Sequence, residues 1–159
     1  MSNVLALEKL IDFGALPDLI DNLVQRGVAA YRTDRAEADR LFREALEEGP
    51  EHLPLYFCLY KIHTYQGSLE RALEAAQAGL QEAARQAGWP EDFRAWTPPG
   101  EPVDGPGRFA LYTLKALAFI RLRREEPGEA REALLHLERL DPTGSIGWPV
   151  VASLAEALA

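Results

Sequence analysis

Three alanines, Ala38, Ala72 and Ala130, occupy one position of a recurring unit. From each, the next small or apolar residues fall four and seven places on: Phe42 and Ala45, Ala76 and Gly79, Leu134 and Leu137. In the first and third units a proline follows at twelve, as Pro50 and Pro142. Ala38 and Ala72 are 34 residues apart. A period of that size predicts stacked helical hairpins, in which each unit buries its apolar face against the next. Small residues belong where the two helices of a hairpin cross most closely. Gly79 stands where the other units have Ala45 and Leu137 and weakens its helix, which points to an especially tight approach there.

Apolar spacing places the helices at residues 4–13, 18–32, 36–48, 54–66, 69–87, 108–124, 128–140 and 148–158. Gly14, Gly49-Pro50, the turn Gln66-Gly67-Ser68 and Asp141-Pro142 punctuate them. The last helix carries Val150, Val151, Leu154 and Leu158 and is expected to cover the open end of the stack. The spacing from Ala72 to Ala130 is 58 rather than 34 residues, so 24 have been added. That insert, 88–107, is dense in proline and glycine, which forbids a regular helix. It nevertheless opens on Trp89, Phe93 and Trp96. Either those aromatics pack on the end of helix 69–87 with the remainder as a loop, or the insert folds over a groove as a lid. A tip that meets a partner is the third reading.

The period, the small–aromatic–small–proline pattern and the Gly67 turn resemble the tetratricopeptide repeat (TPR). The resemblance covers about residues 19–50, 53–86 and 111–142 of a single domain spanning 1–159. It departs in three places, one being that the aromatic opening the outgoing helix occurs only in unit two, as Tyr56. The outgoing helix of unit one needs a one-residue deletion to align Arg26-Gly27 and Ala30-Tyr31. Unit three has Glu125-Glu126-Pro127 where the turn glycine belongs. The resemblance implies an all-α, right-handed solenoid of three helical hairpins, flanked by an N-terminal helix and a C-terminal capping helix. It also implies that the outgoing helices line an inner groove. The chaperone-tail clamp of that family would fall on Val24, Val28, Cys58, Tyr112 and Ala116, none of them basic. Binding of such tails in that way is therefore not expected.

Charge is segregated along the chain. Residues 22–33, 54–66 and 108–124 contain no Asp or Glu, although the net charge is −8. These stretches carry Arg26, Arg32, Lys61, Arg108, Lys115, Arg121, Arg123 and Arg124. Arginines near a helix end answer its dipole, but Lys61 and Lys115 lie mid-helix and have no such reason. On the inner face implied by the resemblance, the partner-binding residues would be Tyr31, Arg32, Phe57, Lys61, Thr64, Tyr65, Tyr112, Lys115, Phe119 and Arg123. Basic side chains beside aromatics suit an extended or acidic segment of a partner protein.

The chemistry of enzymes finds little support. Cys58 is the single cysteine and reads as a small buried hydrophobe. His63 has Leu59, Tyr60, Gln66 and Gly67 at metal-ligand spacing, and none is a strong ligand. His63 itself falls where the repeat packs an aromatic, while His52 lies in a turn and His136 on a helix surface. Paired acids such as Glu47-Glu48 sit at solvated helix ends. No catalytic residue, metal site or cofactor is expected. A net charge of −8 disfavours nucleic acid and anionic membranes as partners. No leader or membrane span is read, so the expected location is the cytoplasm, and the Ala, Arg, Glu and Leu richness suits a bacterium. The expected role is a non-enzymatic adaptor or assembly factor. The alternative is a structural homodimer paired through Leu5, Leu7, Leu16 and the last helix, its groove filled by its own insert.

Overall fold

A computed structural model describes residues 15–158. The helix expected over 4–13, with Leu5 and Leu7, lies outside the described residues. Within them the chain is all-helical: α1 Asp18–Ala30, α2 Arg35–Glu48, α3 Leu53–Tyr65, α4 Leu69–Ala87, α5 Gly105–Arg123, α6 Pro127–Leu140 and α7 Trp148–Ala157. Packing follows chain order: α1 meets α2, α3 meets α4, α4 also meets α5, α5 meets α6, and α7 closes on α5 and α6.

Local chemistry starts and stops these helices where the sequence says it should. The Asp34 carboxylate accepts the amide of Glu37 and caps α2. Prolines occupy the first turns of α3, α5, α6 and α7, where a missing N–H has no helical partner to lose. Gly67 ends α3 in the left-handed region at φ 79°, with Ser68 N–H donating to the His63 carbonyl and Gly67 N–H to that of Thr64. Unit three builds the same turn without glycine. Glu125 takes φ 62°, Glu126 N–H reaches the Arg121 carbonyl, and Glu125 N–H reaches that of Leu122. Gly67 and Glu125 are 58 residues apart, the same step as Ala72 and Ala130. The register of α5 relative to α3 is thereby fixed.

The core has two parts that share α3. Leu55, Cys58, Leu59 and Ile62 face a cluster with Ile20, Leu23, Tyr31, Leu41 and Phe42. Leu53, Tyr56, Phe57 and Tyr60 face the larger cluster built from α4, α5, α6 and α7. A helix buried from both sides is apolar all round, as residues 53–60 are. Ala38, Ala72 and Ala130 are fully buried at helix crossings. Gly79 is another close crossing: an added Cβ would stand 2.7 Å from Cβ of Tyr56. Gly27 does the same for α1, where a Cβ would collide with the Phe42 ring at 2.3 Å.

The insert is shorter than expected, because α5 begins at Gly105 rather than at 108. Pro106 fits the first helical turn, and Gly107 belongs to the helix because the Trp89 ring lies against it. The start of the insert packs back on the body of the fold. Gly88, at φ 73°, ends α4 and sends Trp89 back along it. Trp96 is buried, 5.0 Å from the Trp89 ring centre, and its indole N–H donates to the Pro90 carbonyl at 2.6 Å. Arg139 of α6 donates to the carbonyls of Trp96 and Arg94, while Arg94 pairs Glu132 through two bonds at 2.6 and 2.7 Å. The aromatics therefore clamp the insert to α6.

Candidate functional site

α3 and α5 run past each other with a half-open pocket between them, closed on one side by α7. Its volume is about 210 Å³, and its lining is Tyr60, Lys61, Thr64, Tyr112, Lys115, Ala116, Phe119, Ile120 and Val151. The shared register explains the arrangement. Lys61 and Phe119 hold one repeat position, and Phe57 and Lys115 hold the position one turn earlier. Lysine and aromatic thus swap places between the two helices, and each ammonium sits beside an aromatic of its own helix. Lys61 Nζ lies 5.7 Å from the Phe57 ring centre and Lys115 Nζ lies 3.9 Å from that of Tyr112.

The loop before α7 completes the site. Asp141 is buried, and its carboxylate accepts the Ser145 amide and hydroxyl and the Ile146 amide. Trp148 locks the same loop by donating its indole N–H to the Asp141 carbonyl at 2.7 Å. The result turns the Ile146 carbonyl toward Lys115, whose ammonium donates to it at 2.9 Å. Thr64 spends its hydroxyl proton on the Tyr60 carbonyl at 2.6 Å.

No described Asp or Glu lines the pocket. Burial lowers the ammonium of Lys61 below its usual range. Burial also lowers Lys115, to about 8, with repulsion from Lys61 and Arg108 adding to it. Two neighbouring cations with no described anion make a field that an incoming negative group would relieve. Among the described residues no group of His, Cys, Asp and Glu is placed to hold a metal ion. No described helix is long and apolar enough to cross a membrane.

Of the residues picked from sequence, Lys61, Thr64, Tyr112, Lys115 and Phe119 converge here. Arg32, Tyr65 and Arg123 are exposed but do not line the pocket, although Arg123 stacks 5.9 Å from the Phe119 ring centre. Tyr31 and Phe57 are corrected: their exposures are 2% and 0%, so no partner can touch their side chains. Tyr31 closes the smaller core and hydrogen-bonds His63, and Phe57 is the apolar floor under Lys61. Tyr60, Ala116, Ile120 and Val151 were missed, the last because it lies on α7, whose docking the repeat pattern does not specify. A compositional signal was also there to be read. Among 17 basic residues only Lys9, Lys61 and Lys115 are lysines, and two of the three face one pocket.

No family model matches the chain, and no curated protein or solved structure compared with it does. The fold and the site define an all-helical protein with a lysine–aromatic pocket.

Proposed function

We propose that this protein is a non-enzymatic adaptor or assembly factor, a TPR-like solenoid of three helical hairpins acting in the bacterial cytoplasm. It takes an extended or acidic segment of a partner protein against α3 and α5. The reading rests on one observation: Lys61 and Lys115 line a common pocket that holds no described carboxylate. Lys61 and Lys115 pair acidic groups of the segment, while Tyr112 and Phe119 supply apolar contact. Arg123 and Tyr65 extend the contact beyond the pocket rim.

The test is charge reversal at both lysines, Lys61→Glu with Lys115→Glu, read against a library of acidic, aromatic-flanked peptides. Binding should fall at least tenfold with the far-ultraviolet circular dichroism of the helices unchanged. Retained binding by a helical double variant removes the reading.

A second reading has its own observation. Val150, Leu154 and Leu158 on and just beyond α7 are exposed by 69%, 41% and 67%. Apolar side chains gathered on a terminal helix suit pairing of two copies. Sedimentation at rising concentration decides it: a monomer at high micromolar protein disposes of the homo-oligomer.

A further inference from the structure

We propose that the pocket between α3, α5 and α7 is a binding site for a small free organic acid, with one carboxylate on an apolar body about the size of one aromatic ring. This goes beyond the adaptor reading, because the ligand is a small molecule and the pocket alone defines it.

Four observations set the ligand class. The first is charge. Lys115 spends one donor on the Ile146 carbonyl, and Lys61 makes no hydrogen bond or ion pair to any described residue, so donors remain on both ammonium groups. The second is shape. Ala116, Phe119, Ile120 and Val151 give the lining an apolar part beside the two ammonium groups, so the site offers both charge and apolar surface. The third is size. A volume of about 210 Å³ falls below the roughly 300–1,000 Å³ of sites for drug-sized ligands, which suits a ligand about the size of one ring with its acid group. The fourth is the donor type. The lining holds no arginine, and its α3 and α5 residues lie beyond the first turns of their helices, where the amides are already bonded within the helix. Phosphate sites draw on arginine forks or nests of free amides, whereas a carboxylate needs only a pair of point charges.

The acid would also bridge elements. Val151 belongs to α7, and Ile146 to the loop before it, while the other lining residues belong to α3 and α5. A bound carboxylate therefore ties α7 to the body of the fold, and ligand should raise the thermal midpoint.

The experiment is calorimetric titration of the full chain with phenylacetate, phenethylamine and acetate. Phenethylamine keeps the ring and reverses the charge; acetate keeps the carboxylate and drops the ring. Phenylacetate should bind at least tenfold more tightly than either. Lys61→Met and Lys115→Met should each weaken it at least tenfold, as should Val151→Trp, which fills the pocket and leaves both lysines in place. Equal affinity for phenylacetate and phenethylamine, or undiminished binding by Val151→Trp, overturns the proposal. Should Val151→Trp fail to fold, the wild-type NMR signals of Phe119 and Val151 decide: if phenylacetate leaves them unmoved, the proposal falls. Acidic peptides that bind through the lysines while phenylacetate does not would defeat this inference and leave the adaptor. The reverse result would defeat the adaptor and leave the pocket.

Discussion

The hydroxyl of Tyr31 lies 2.6 Å from Nδ1 of His63 and donates its own proton to Oγ of Ser68 at 2.7 Å. A phenol has one proton, so the first bond is donated by Nδ1–H of His63, and burial, which lowers the ring's pKa to about 4, keeps it neutral at pH 7. Arg35 completes the chain by donating to the same Ser68 oxygen at 3.0 Å and stacking on the Tyr31 ring. Four residues from the end of α1 to the start of α4 are fastened at one point. The edge of the His63 ring on Phe42, with centres 5.6 Å apart, seals it from below.

This latch makes stability depend on pH. Burial lowers the folded-state pKa of His63 to about 4, with Arg71 and Arg35 pushing the same way and Asp39 opposing them. A base with a lowered folded pKa binds more protons when unfolded, so its contribution is present above pH 6.5 and is lost as pH falls toward 4. Between pH 7 and 5 the chain should lose about 2 kcal/mol of unfolding free energy in urea melts. His63→Phe should flatten most of that slope. An equally steep slope in the variant would place the titration elsewhere.

Two helical glycines should respond in opposite directions to alanine. At Gly79 the added methyl meets Tyr56 Cβ at 2.7 Å, backbone-anchored and unable to swing aside. Overpacking of about 1–3 kcal/mol then outweighs the ~1 kcal/mol gained in helix propensity, so Gly79→Ala destabilises. At Gly128 nothing lies within 4 Å, and alanine should stabilise by about 0.5–1 kcal/mol. Thermal melts of the two variants check both signs.

The two equivalent turns offer a matched pair. Glu125 holds a left-handed φ of 62° that costs a side-chain-bearing residue roughly 1–2 kcal/mol, whereas Gly67 holds φ 79° freely. Gly67→Ala should cost about 1 kcal/mol, and Glu125→Gly should gain about 0.5 kcal/mol after its larger unfolded-state entropy is counted. Denaturant midpoints moving down and up respectively would agree. A loss at Glu125→Gly would show that the glutamate side chain contributes more than its backbone strain costs.

The helices were legible because they rest on local signals: prolines in first turns, the Gly67 turn, and small residues at crossings such as Ala38, Ala72 and Gly79. Gly105 and Pro106 were read as loop because breakers and first-turn residues look alike until the next turn is packed. Cys58 and His63 were read correctly as packed residues. Tyr31 and Phe57 were misplaced for two reasons. Phe57 lies on α3, which is enclosed on two sides and gives its aromatics to the core, while Tyr31, at the end of α1, is taken up by the smaller cluster and its bond to His63. The lysines survived because a half-buried charge has few places to go. The α7 wall of the pocket depends on how Asp141 bends the preceding loop, a tertiary outcome that no periodicity encodes.

The direct test of the lysine pocket is NMR titration of the chain labelled at lysine Cε, which gives only three side chains to follow. Lys115 should titrate with a midpoint of about 8, and Lys61 below the usual 10.5. Saturating phenylacetate or an acidic peptide should raise both midpoints, since a bound carboxylate favours the charged amines. Ordinary midpoints for both lysines, unmoved by either anion, would contradict the account.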